Sequence, residues 1–70
     1  MPALPRRGVV ADFDPVVGLG TVQSDDGPLF PFHCTQIADG SRDIAIATPV
    51  EFSVVAGNLG RWEAVGIRAV

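Results

Sequence analysis

Seventy residues, 47% hydrophobic and 19% charged with a net charge of −3, are too apolar for a disordered tail and enough for one small core. The longest apolar runs fall far short of the about 20 residues that span a bilayer, and Met1 to Arg7 (M-P-A-L-P-R-R) lacks the apolar middle of a signal peptide, so a cytoplasmic location without a membrane partner is expected. Cys34 is the single cysteine, which excludes an internal disulfide and a multi-cysteine metal site and leaves a buried, inert thiol as its plain reading.

Residues 1–7 read as a short tail and 8–70 as one domain of five short strands, separated by turn signals about ten residues apart. Val9 to Phe13, rich in β-branched and apolar residues, runs into Asp14-Pro15, where the fixed proline φ and the aspartate acceptor favour a turn. Leu19 to Ser24 follows and ends at Asp25-Asp26-Gly27-Pro28. The third strand covers Leu29 to Cys34 and contains Pro31, which cannot donate to a ladder and is expected at an unpaired edge or a bulge. Thr35 to Ile37 is expected to form one helical turn before a polar loop, Ala38 to Asp43, broken by Gly40 and Ser41.

In Pro49 to Val55, Val50, Phe52 and Val54 alternate with Glu51, Ser53 and Val55, as in a strand with one apolar face. Ala56 to Gly60 makes the next turn, and Arg61 to Ile67 supplies the fifth strand. Five antiparallel strands in so short a chain are best accommodated by a partly open barrel that limits exposed edges. An OB-type barrel fits, with an SH3-like barrel as the competitor.

The residues from Gly8 onward resemble the cold-shock domain family. Gly8 to Val22 (G-V-V-A-D-F-D-P-V-V-G-L-G-T-V) aligns without a gap with that family's first hairpin, G-x-V-K-W-F-N-x-x-K-G-F-G-F-I, matching at Gly8, Val10, Phe13, Gly18 and Gly20. Phe30 to Ile37 (F-P-F-H-C-T-Q-I) resembles the motif V-F-V-H-F-S-A-I and retains His33 and Ile37. Gly57 to Ala64 looks like the last turn and the G-P-Q-A strand. The resemblance implies an all-β, five-stranded antiparallel OB-fold-like barrel of the cold-shock type. It also implies a core that includes Val10, Val22, Phe30, Phe32, Ile37, Val50 and Phe52.

It implies single-stranded RNA or DNA as the partner too, because cold-shock domains lay the strand across exposed rings while lysines follow the phosphates. Position by position, that platform is altered. The first-strand lysine and tryptophan become Ala11 and Asp12, and the lysine and two phenylalanines of K-G-F-G-F become Val17, Leu19 and Thr21. Two stacking phenylalanines of the third strand become Pro31 and Cys34, and a loop phenylalanine becomes Ser41. With five Arg and no Lys, the basic side of the surface is thin as well.

The candidate nucleic-acid-binding set is Phe13, Leu19, Thr21, His33 and Trp62, with Arg6 and Arg7 toward phosphates. Each has a plainer reading. His33 is a base contact or a solvated imidazole; Phe13 is a stacking ring or a cap on the core; Trp62, which has no family counterpart, is a new anchor or a residue packed on the barrel. Gly18 and Gly20 lack the following helix of a phosphate loop and are explained by close backbone approach. No catalytic set is apparent: one His, one Cys and no suitably spaced carboxylate pair argue against an enzyme, and strand alternation is expected to turn His33 and Cys34 apart. No cofactor and no small-molecule substrate are expected. The competing function is a protein-interaction or self-association module on the same barrel, meeting a protein partner or a second copy through Val17, Leu19 and Pro31, with Trp62 as a further candidate.

Overall fold

The computed structural model describes residues 5–38, 43–57 and 60–70. Met1 to Leu4, the loop breakers Gly40 and Ser41, and Asn58-Leu59 of the last turn lie outside the described residues.

Strand β1 (Arg6–Asp14) turns Val10 and Phe13 into the core, although they are three residues apart and strict alternation would send them to opposite faces. A bulge reconciles them: β1 pairs antiparallel with β2 (Leu19–Ser24) as Val10↔Val22 and then Asp12↔Thr21, leaving Ala11 as the extra residue. The same device recurs at the C-terminus. Ala64 and Ile67 of β5 (Trp62–Ala69) both face inward, because the register against β4 (Pro49–Ala56) shifts between Glu51 and Ser53, beside Gly66 at φ 61°. Glycine enters that left-handed region without the Cβ penalty of other residues.

β3 (Leu29–His33) ends one residue before the sequence suggests, because Cys34–Gln36 winds into a 3₁₀ turn. β1 begins earlier than expected, and β5 runs on to Ala69. Both extensions carry arginines drawn toward Glu51 of β4, with Arg7 Nε 3.6 Å and Arg68 Nη2 2.5 Å from its carboxylate. Arg6 instead lies 5.4 Å over the Phe30 ring and reaches Asp26 at 3.2 Å, so its aliphatic stem and guanidinium cover one end of the barrel.

The strand order is β3-β2-β1-β4-β5. The two outer strands meet through a parallel bridge, Ile37↔Ile67, where Ala38 N–H donates to the Ile67 carbonyl at 2.7 Å. This closes the sheet on itself as an OB-type barrel. All seven core positions expected from the sequence are buried, and Val10, Val22, Val50, Phe52 and Ile67 are at most 1% exposed.

Candidate nucleic-acid interface

The outer face of β1, β2 and β3 is built from cross-strand rows. One row runs His33, Leu19, Asp14; the next runs Pro31, Thr21, Asp12. Cys34 N–H donates to the Gly18 carbonyl and Ser24 N–H to that of Pro28, so the even-numbered β2–β3 pairs are the hydrogen-bonded ones. Thr21↔Pro31 and Leu19↔His33 are therefore non-hydrogen-bonded pairs, the kind with Cα atoms only about 4.5 Å apart and side chains closest. The same parity turns the nitrogen of Pro31 away from β2, toward the unpaired edge, as its missing donor requires.

His33 is exposed but not loose. Thr35 N–H donates to its Nδ1 at 3.2 Å, capping the 3₁₀ turn, and Thr35 Oγ1 lies 3.0 Å from the same atom. With Nδ1 accepting, the neutral ring carries its proton on Nε2 and presents that N–H to solvent beside Leu19. Leu19 is 51% exposed and Thr21 half-buried, so Leu19, Thr21, Pro31 and His33 form one patch.

The other two expected site residues stand apart from it. Phe13 is 9% exposed and its ring stacks on Phe32 at 5.8 Å and 5°. Both rings close over Gly20, which pairs with each of them, and a Cβ there would fall 2.6 Å from Phe32 Cζ and 2.7 Å from the Asp12 carbonyl. Phe13 thus lies largely beneath the face, its ring stacked on Phe32. Trp62 is 59% exposed, not packed away, and pairs with Ala56 at the start of β5, outside the two rows.

The electrostatics oppose a phosphate backbone. Asp12 and Asp14 stand on the face, while Arg6 is paired with Asp26 and both Arg7 and Arg68 with Glu51. Arg61 has no ion pair among the described residues. Asp14 is partly committed to local structure, since its Oδ1 accepts from the Val16 and Val17 N–H groups at 3.0 and 3.3 Å. Asp12 makes no side-chain hydrogen bond or ion pair among the described residues. Sequence reasoning located the carboxylates but missed the engagement of the arginines, which depends on cross-strand register.

Cys34 departs from the expected alternation. Because β3 ends at His33, Cys34 belongs to the 3₁₀ turn, half-buried against the core, and its Sγ lies 3.8 Å from His33 Nδ1. That nitrogen is already occupied by Thr35, so the pair has no free base. The barrel also has more room than its length suggests: a groove of about 340 Å³ follows the seam beside Ile37, Ile44, Ile67 and Arg68. Among the described residues, no three of His, Cys, Asp and Glu are gathered as metal ligands, and no helix is long and apolar enough to cross a membrane.

No protein-family model and no curated protein matches this sequence. Among solved structures, the Drosophila Unr cold-shock domains (CSD456) superpose with a TM-score of 0.80 at 28% identity, over 97% of this chain. This chain spans 27% of the length of that solved chain. The five antiparallel strands in one sheet and this similarity agree: the chain is a cold-shock-domain-like protein.

Proposed function

We propose that this chain binds single-stranded RNA or DNA weakly in the cytoplasm, laying bases over Leu19, Thr21, Pro31 and His33, in a binding and not a catalytic role. The observation that carries the reading is the pair of close cross-strand contacts, Leu19↔His33 and Thr21↔Pro31, with the His33 ring held by Thr35. An imidazole edge beside an exposed leucine gives a base one polar and one apolar contact. Weakness follows from magnitudes. Base–aromatic stacking contributes about 1–3 kcal/mol per base, so losing two or three rings removes a few orders of magnitude in affinity. Trp62 is a separate stacking point at the start of β5, with Arg61 beside it in sequence for a phosphate.

Amide shift titration with short RNA and DNA oligomers at low salt tests this. Shifts centred on Leu19, Thr21 and His33 that fade as salt rises are expected; silence at millimolar oligomer overturns it.

A second reading has its own support. Val9, Leu19 and Leu29 are all exposed on this face, and Val16 and Val17 on the adjoining turn, so an acidic, apolar surface is open to a protein or a second copy. Sedimentation as a clean monomer together with no recovered protein partner argues against it.

A further inference from the structure

Asp12 occupies the position where the resemblance places a stacking tryptophan, and a carboxylate there does more than remove a ring. It sits directly across from Thr21, whose hydroxyl also makes no hydrogen bond among the described residues. As register partners just past the bulge at Ala11, the two residues stand on the same outer face. Asp12 supplies two acceptor oxygens, and Thr21 supplies one donor beside them. Pro31, the next residue along the row, gives an apolar floor.

Resting on the nucleic-acid reading above, we infer that Asp12 and Thr21 read the Watson–Crick edge of guanine and make this face selective for guanine-bearing single strands. Guanine presents two neighbouring donors on that edge, its N1–H and its N2 amine, followed by the O6 acceptor. The two carboxylate oxygens meet the donors and the threonine hydroxyl meets O6. Adenine and cytosine each set a ring-nitrogen acceptor beside their single amine, which repels the second carboxylate oxygen. Uracil and thymine flank one N–H with two carbonyls. Unstacked bases of a single strand expose these edges, as paired bases do not. The carboxylate that repels phosphate is thus the group that selects the base, and the backbone passes on the side of the patch away from Asp12 and Asp14.

Asp14 does not duplicate the role, because one of its oxygens is held by the Val16 and Val17 amides. The free carboxylate of Asp12 separates reader from turn-former.

The test uses the whole chain and uridine hexamers carrying one central guanosine, inosine, adenosine or no substitution, titrated by amide shifts at low salt. A bidentate contact to the correct base is worth about 5- to 150-fold in discrimination. The guanosine hexamer is expected to bind tighter than the uridine and adenosine hexamers by the lower part of that range, with inosine, which lacks the N2 amine, in between. In Asp12→Asn, one acceptor becomes a donor and the guanosine-to-uridine ratio falls toward one; Thr21→Val lowers the ratio less. Both positions are on the outer face, and an unchanged pattern of core amide shifts verifies the fold. Wild-type protein that binds all four hexamers alike, or an Asp12→Asn variant that keeps the guanosine preference, overturns the inference while leaving single-strand binding intact. No shift with any hexamer overturns the binding reading itself, and this inference with it.

Discussion

The two faces of the β1–β3 sheet share their strands and turns and differ in what fixes them. Inward, Val10, Phe13, Val22, Phe30 and Phe32 interlock, and the two stacked rings leave room only for hydrogen at Gly20. Outward, Asp12, Leu19 and Pro31 are exposed and Thr21 half-buried, so substitutions in these rows should leave the barrel undisturbed. The inner face therefore specifies the fold; under the proposed reading the outer face meets the ligand, and mutation should separate the two.

Phe32→Ala breaks the inner face most severely. It deletes a 3%-exposed ring and the stack on Phe13, at an expected cost of about 3–5 kcal/mol. A chain of this length has about 4–10 kcal/mol of total stability, so urea denaturation should find the variant largely unfolded or close to it. Leu19→Ala, on the outer face of the adjoining strand, should stay within about 0.5 kcal/mol of the parent. Equal losses at the two positions would contradict the division.

The opposite experiment adds rings outside. Leu19→Phe combined with Thr21→Phe restores two stacking surfaces, and at about 1–3 kcal/mol for each, affinity for a uridine hexamer should rise at least about 30-fold. Fluorescence or shift titration measures it, with the urea midpoint nearly unchanged. A double variant that binds no better would mean that Asp12, Asp14 and the engaged arginines, not missing rings, limit binding.

The inner face was legible in the sequence because its signals are local: alternation, turn residues at short spacing, and a proline suited only to an edge. Phe13 carried two readings, a stacking ring or a cap on the core, because its burial is decided by Gly20 and Phe32, seven and nineteen residues further along. Ala11 gave no sign of the bulge that lets Val10 and Phe13 share a face. On the outer side, the sequence shows five arginines but not that Glu51 and Asp26 hold three of them, which is a matter of register. Trp62 misled in the other direction, because a large ring near a strand start reads as core, yet the β4–β5 pairing carries it past the barrel's packed centre.

A smaller effect is expected where the inner face meets its connecting segment. Ala47 has φ 72°, and its N–H donates to the Val10 carbonyl at 2.7 Å while Val10 N–H donates to the Thr48 carbonyl at 3.0 Å. The hydrogen bonds that position Val10 thus hold an alanine in left-handed backbone, where a Cβ costs roughly 1–2 kcal/mol. Ala47→Gly relieves this but gains unfolded-state entropy, leaving a net stabilisation of about 0.5–1 kcal/mol. The urea midpoint should rise with no change in oligomer affinity; a fall would mean that the segment tolerates the strain through contacts the glycine loses.

The smallest effect separates the faces by pH at the β2–β3 turn. Ser24 is the buried polar residue among those described, and its hydroxyl donates to the Asp26 carboxylate, which Arg6 approaches from outside. The serine hydrogen bond first, and the nearby guanidinium after it, hold the Asp26 carboxyl below its ordinary value of about 3.8. A carboxyl lowered in the folded state contributes stability that is fully present above its unfolded value and is lost as pH falls through the folded one. Asp26→Asn removes the charge at every pH. The urea midpoints of parent and variant should therefore differ by a constant amount above the usual carboxylate range and converge below it, with the parent the more stable at neutral pH. Because Asp26 is exposed the gap should be small and narrow further in salt. A gap that instead widened on acidification would contradict a lowered Asp26 carboxyl as its source.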